Sequence, residues 1–325
     1  MKLFKTLTLT CLSTSFALAQ NVNQDQTTRN FDKAPPATVS SGNSNSNGNV
    51  GASDTGAQRP IFLNTEQISA FAGFDTKYFL RTNPTTKSGT SKYAPSYVWQ
   101  NSFYGGASLS PIDTDTAVLT PIFGGSWTMT DYLRPPDKKG DLSDLNDYAT
   151  SAYALLMIQH ESGIGFRAGV SYASVRNNKT DTEDYSEFYP NVGAMKTYGL
   201  GPDTLAIVDI SGGLHLSESA GSFFVPDTDT LDNWDASLSL SIRHQFLDFI
   251  ITPNYRMGYK KFINSINDGR KDVSHAVSLK VDYQIIENVN LTADTSYSRR
   301  NSSVESYDDY KNVEGGAKIG INYKF

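Results

Sequence analysis

Asn312-Val-Glu-Gly-Gly-Ala-Lys-Ile-Gly-Ile-Asn-Tyr-Lys-Phe325 closes the chain and alternates without a break. Counting back from Phe325, every second position is apolar or small: Tyr323, Ile321, Ile319, Ala317, Gly315 and Val313. Between them stand Lys324, Asn322, Gly320, Lys318, Gly316, Glu314 and Asn312. Successive side chains of a strand point to opposite faces, so this segment predicts a strand with one greasy and one wet face. The design recurs upstream. Ile68, Ala70, Ala72, Phe74, Tyr78 and Leu80 share one parity, against Ser69, Gly73, Asp75, Lys77 and Arg81. Trp234, Ala236, Leu238, Leu240 and Ile242 alternate with Asp235, Ser237, Ser239, Ser241 and Arg243. Faces with several charges each do not fit a dry sandwich core, where unpaired charges are very costly. They fit a barrel turned inside out, greasy towards lipid and polar towards its lumen.

Extending the pattern gives about twelve strands, centred on 67–81, 96–109, 115–131, 149–160, 164–176, 185–199, 203–216, 234–246, 249–262, 272–285, 288–300 and 312–325. Each is close to the ~9 to 11 residues that cross a bilayer when tilted. Short connections at 111–114, 161–163, 201–202, 247–248 and 287–288 alternate with long polar ones at 82–95, 132–148, 177–184, 217–233, 263–271 and 301–311. That rhythm defines an antiparallel up-and-down transmembrane β-barrel, all-β, in which an even strand number returns both termini to the periplasm. The aromatics fall into two bands. Tyr78, Tyr97, Trp99, Trp127, Tyr172, Trp234 and Tyr297 lie near the long loops; Phe166, Tyr198, Phe246, Phe249, Tyr283, Tyr323 and Phe325 lie near the short turns. Amphipathic rings prefer such interfacial girdles. Three features strain the scheme: Pro121, Pro190 and Pro253 fall within strands, as at bulges or strand ends. Segment 152–160 is apolar on both faces, and Lys196 and His275 take lipid-facing parity.

A chain ending on an aromatic residue after such a strand resembles the closing strand of bacterial outer-membrane β-barrels. In that family the terminal Phe, with an aromatic two residues before it, is the signal read by the barrel-assembly machinery. The resemblance gives Phe325, Tyr323 and Ile321 that role. The amino terminus agrees: Lys2 and Lys5 precede an apolar stretch from Leu7 to Phe16 and Ala17-Leu18-Ala19, the pattern of a secretory signal peptide over residues 1–19. Residues 20–64, rich in Asn, Ser, Gly, Gln and Thr, read as a flexible periplasmic extension. The barrel then occupies 65–325.

The one cysteine, Cys11, lies inside the signal, so the mature chain carries no disulfide despite an oxidising destination. Formal charge is −6 for the whole chain, and loss of Lys2 and Lys5 makes it more acidic. That balance excludes nucleic acid as an expected partner. Mean hydropathy is −0.40. A barrel accounts for this low value, because only alternate residues meet lipid.

Little in the chain has the pattern of catalysis. There is no phosphate-binding glycine loop, metal-type Cys/His spacing or nucleophile elbow, so neither cofactor nor metal is expected. His215 and Ser217, with Asn233 and Asp235 on the next strand, resemble the His-x-Ser arrangement of outer-membrane phospholipases. However, parity turns His215 inward, and the polar motif that follows the serine in that family is missing. The expectation is therefore no enzyme. Parity instead directs Asp75, Lys77, Arg167, Glu187, Asp209, Asp235, Arg243, Arg256, Lys260, Lys280, Asp282, Asp294, Arg300, Glu314 and Lys318 into the lumen, with a small excess of bases. Two readings stay open: a wet pore whose charges bias solute sign, weakly towards anions, or an interior filled by mutual salt bridges. Twelve tilted strands give a backbone diameter of roughly 24 Å and a lumen of about 12 to 14 Å. The expected partners are outer-membrane lipid, the barrel-assembly machinery and small hydrophilic solutes, with a homo-oligomer open.

Deleting Phe325, or Phe325→Ser, is expected to reduce folded barrel in the outer membrane while secretion continues. Heat-modifiable mobility on gels reads the outcome, and an unchanged yield would contradict the role given to the terminal strand.

Overall fold

A computed structural model describes residues 68–82, 95–133, 145–219, 229, 231–264, 267–304 and 310–325. The segments read as signal peptide and extension lie outside the described residues, as do the larger parts of several long loops. Twelve long strands and one two-residue strand make up the fold: β1 (Ile68–Arg81), β2 (Ser96–Leu109), β3 (Ile112–Asp113), β4 (Ala117–Leu133), β5 (Asp147–His160), β6 (Ile164–Asn177), β7 (Glu183–Gly201), β8 (Thr204–Ser219), β9 (Asn233–Phe246), β10 (Phe249–Phe262), β11 (Lys271–Ile286), β12 (Val289–Ser302) and β13 (Tyr310–Lys324). Each long strand pairs antiparallel with its chain neighbours, β2 pairs β4, and β13 returns to β1. The sheet is thus a closed barrel of twelve long strands. At the seam Phe325 N–H donates to the Ala70 carbonyl at 2.8 Å and Ala70 N–H donates back at 3.3 Å. With 14 residues or more per long strand, the wall is about 35 Å high, enough to span a bilayer.

The alternation of the sequence becomes the two faces of this wall. Outward positions hold the aromatics of both bands: Trp99, Tyr172 and Tyr297 are exposed towards the long loops, and Phe166, Tyr198 and Tyr323 towards the short turns. Inward positions are polar. A greasy outside and polar inside are the polarity of a membrane-spanning barrel. The apolar segment on β5 resolves as well. Tyr153, Leu155 and Met157 point inward and pack with Ile122 and Phe71, while Ala152, Ala154 and Leu156 point outward. On the inner face Tyr153 lies over Gly124, its register partner on β4; a methyl there would fall within the ring.

The prolines differ from expectation. Pro121 sits where the β2–β4 ladder ends and the β3–β4 ladder begins, so it does mark a junction. Pro190 and Pro253 are neither bulges nor strand ends. Each keeps its pairing on one side, with Val170 and Leu279 respectively, and loses it on the other, with no register shift. Each gap takes in the preceding residue too, Tyr189 or Thr252, and the closed wall absorbs it because pairing resumes beyond it in the same register. The register shifts occur instead near strand ends, at Val175/Arg176, Gly199/Gly201 and Gln284/Ile286. Lys196 and His275 do face outward. Lys196 lies 5.6 Å from the Tyr198 ring centroid near the short-turn end, and His275 Nδ1 is 2.8 Å from the Tyr255 hydroxyl.

Two of the short turns hold a residue in the left-handed region. Gly163 adopts φ 75° in the β5–β6 turn, a value that suits glycine. Leu247, in the two-residue turn between β9 and β10, has φ 54° and is 74% exposed. A leucine there carries the left-handed penalty with no burial to offset it. Leu247→Gly is therefore expected to stabilise the barrel by about 1 kcal/mol, read as a higher denaturant midpoint at unchanged m.

Candidate functional site

The inner face near the long loops carries a belt in which acid and base alternate strand by strand. Going round from β1, Arg81 is followed by Glu314 on β13, Arg300 on β12, Asp272 on β11, Lys260 on β10, Asp235 on β9, His215 on β8 and Glu187 on β7. Register sets three of these pairs directly opposite: Arg81 with Glu314, and Lys260 with both Asp272 and Asp235. Arg81 Nε donates to Glu314 at 2.8 Å and Nη1 to the Tyr132 hydroxyl at 2.9 Å. His215 bridges two acids, with Nδ1 2.8 Å from Glu187 and Nε2 3.5 Å from Asp235, and its ring stacks on Tyr189 at 4.0 Å. Lys260 is within electrostatic reach of Glu187, Asp235 and Asp272, and its buried ammonium makes no hydrogen bond among the described residues. This belt is dry: the Arg81–Glu314 side chains are 3% and 6% exposed, and the His215–Glu187 pair 4% and 5%.

A second level lies deeper in the lumen, towards the short turns. Lys77 and Lys318 stand directly opposite each other, a repulsive arrangement. Each turns aside to an acid, Lys77 to Asp294 at 2.9 Å and Lys318 to Asp75 at 3.2 Å. Lys280 pairs with Asp282 at 2.8 Å, and Arg243 lies within electrostatic range of the same carboxylate. Arg167 reaches from β6 to Asp209 on β8, its Nη2 at 2.9 Å. It passes over Gly193 of β7, where any Cβ would meet the guanidinium. Arg256, between the two levels, donates to Ser237 at 3.0 Å. This level is wetter, with Lys77 and Asp294 21% and 25% exposed and Lys280 and Asp282 23% and 20%.

The charges occupy one side. Inward positions of β2, β4 and β5 are hydroxyls, amides and apolar residues, such as Gln100, Thr128, Thr130 and Tyr153, with Asp147 as the sole charge among the described residues there. Sequence reasoning left Arg81, Asp147 and Asp272 out of the lumen charges. Arg81 and Asp272 share the parity of Lys77 and Asp282 and were legible; Asp147 precedes the expected start of its strand. With these three the excess of bases disappears, and the expected lean towards anions loses its basis.

The phospholipase-like arrangement does not form. Ser217 Oγ donates to Asp232 at 3.2 Å, while His215 is committed to Glu187 and Asp235, so the histidine does not address the serine. Among the described residues no cluster of acids, histidines or cysteines has the makings of a metal site.

No protein-family model matches the chain, and no curated protein sequence matches it either. Solved structures that it resembles include an outer membrane channel from Pseudomonas putida F1, with 12% identity, 79% of this chain and 96% of that one covered, and a TM-score of 0.47. The β domain of the Bordetella autotransporter BrkA gives 10%, 78%, 99% and 0.41, and the NanC porin 9%, 76%, 98% and 0.42. Likenesses of this size carry no conclusion about activity.

Glu314→Gln is expected to cost about 3 kcal/mol, because Arg81 would lose its carboxylate in a dry setting. Arg81→Met combined with Glu314→Met should recover most of that loss, measured by urea unfolding of the folded barrel.

Proposed function

We propose that the chain is an outer-membrane β-barrel of a two-membraned bacterium, with both termini periplasmic, acting as a small porin-like channel for passive diffusion of small hydrophilic solutes. The observation that carries this reading is the wet lower level of the lumen. Charges built only to fill an interior would be as dry as those of the upper belt, yet Lys77, Asp294, Lys280, Asp282 and Lys318 keep a fifth or more of their surface in contact with solvent. Asp75, Lys77, Arg167, Glu187, Asp209, Arg243, Arg256, Lys260, Lys280, Asp282, Asp294, Arg300 and Lys318 line the path; counted together with Arg81, Asp147, Asp235, Asp272 and Glu314, bases and acids balance, which suits neutral or weakly charged solutes. Phe325, Tyr323 and Ile321 on the closing strand serve recognition by the barrel-assembly machinery. A second reading, a structural or surface-interaction barrel with a permanently filled lumen, is favoured by the dryness of the upper belt.

Conductance separates the two. Refolded protein in a planar bilayer should show discrete channels, and Arg243→Glu with Arg256→Glu should move the reversal potential in a salt gradient towards cations. A folded barrel that never conducts would overturn the channel reading. In a permanently filled interior the same two reversals would lower stability instead.

A further inference from the structure

One apolar cluster in the lumen has no place in a polar path. Ala149 on β5, Val175 on β6, Tyr185 on β7, Phe262 on β10 and Leu231, just before β9, form a single buried group. Ala149, Val175 and Tyr185 are fully inaccessible, Phe262 is 1% exposed and Leu231 7%. Five strand steps out of twelve separate β5 from β10, so Ala149 and Phe262 stand on almost opposite walls. A continuous cluster joining them crosses the lumen, whose width of about 12 to 14 Å a leucine, a tyrosine and a phenylalanine can bridge. Leu231 is the one member that is not on a strand.

Its position is fixed by the next residue. Asp232 Oδ1 accepts from the Ser217 amide at 2.6 Å and its hydroxyl at 3.2 Å, and Oδ2 accepts from Asn264 Nδ2 at 2.8 Å. The Asp232 carbonyl takes the Ile263 N–H at 3.0 Å, and the Leu231 carbonyl takes Asn233 Nδ2 at 2.7 Å. These bonds tie Leu231 to β8, β9 and the segment after β10. Below the cluster Tyr185 donates to Glu187, a member of the dry belt, and above it the Arg270 guanidinium covers the Phe262 ring at 4.1 Å.

We propose that this cluster is a hydrophobic seal closing the long-loop end of the lumen to water and ions, with Leu231 as its removable part and Asp232 as the clamp that seats it. The proposal rests on the channel reading for its purpose but not for its geometry. An apolar constriction excludes ions because they cannot shed their hydration there. It accounts for the contrast between a dry upper belt and a wet lower level. The state described is therefore the closed one.

Two measurements on the full-length refolded barrel, each with heat-modifiable mobility to show folding, test the seal. Leu231→Cys in a Cys11→Ser background gives a single thiol. It should react with a water-soluble maleimide at least 100-fold more slowly than a cysteine at exposed Ser303, and adding Asp232→Ala should raise its rate 10-fold or more. In planar bilayers, Leu231→Ser should raise time-averaged conductance at least 10-fold over the wild type. Fast labelling of Leu231→Cys, or equal conductance in two conducting proteins, would overturn the seal. Slow labelling with no conductance in either protein would uphold the seal and overturn the channel reading.

Discussion

Lipid offers no hydrogen-bond partner, so the backbone of every membrane-spanning strand must be satisfied by another strand. The β1–β13 seam is where that requirement is met, with register pairs from Phe71 and Lys324 to Arg81 and Glu314. Everything else depends on closure. It fixes which parity faces lipid, it brings Lys77 within reach of Asp294 two strands away, and it creates a lumen at all. It also sets the tolerance for prolines. Pro190 and Pro253 each forgo pairing on one side, and the unshifted register around them shows that the wall is held by the rest of the ladder. An open sheet would place such residues at an edge; this fold has no edge, so they are carried within the wall.

The interior solves an electrostatic problem that closure raises. Charged side chains from many strands are forced to face one another in a narrow space, and like charges meet directly, as Lys77 and Lys318 do. Diagonal pairing removes the conflict in the lower level, and strict alternation of sign avoids it in the upper belt. The two levels differ in water. The upper belt is covered by apolar side chains, among them Phe79, Val98 and Tyr132 packed with Leu145, and the cluster around Leu231. In such surroundings an ion pair holds the wall rigid only if both partners stay in place. The lower level remains in contact with solvent, where its pairs contribute less to stability.

The neutral wall of β2, β4 and β5 gives the lumen a second character. Its hydroxyls bond one another, as Thr128 does to Ser102 at 3.2 Å and Ser126 to Ser151 at 2.9 Å. Its apolar residues, Ile122, Tyr153 and Met157, form a core on the inner side. The double apolar face of β5 follows from this: one side meets lipid and the other meets that internal core. A solute moving through the lumen would have charge on one flank and neutral surface on the other.

The sequence alone determined the barrel, because the side-chain period of a strand is two and each strand from Ile68 to Lys324 must sort into a lipid face and a lumen face. Strand number, the alternation of short and long connections, the aromatic bands and the inward direction of Asp75, Lys77, Arg243 or Lys260 all follow from that local periodicity. Pairing does not, since parity says which way a side chain points and nothing about its height relative to the next strand. Only the register of the closed sheet set Lys77 against Lys318, placed His215 between Glu187 and Asp235, and took Ser217 away from the histidine to Asp232. Leu231 is the extreme case. It lies in a connection with no periodic signal, and its burial comes from residues on four other elements that are remote in the chain and adjacent only once the barrel is closed.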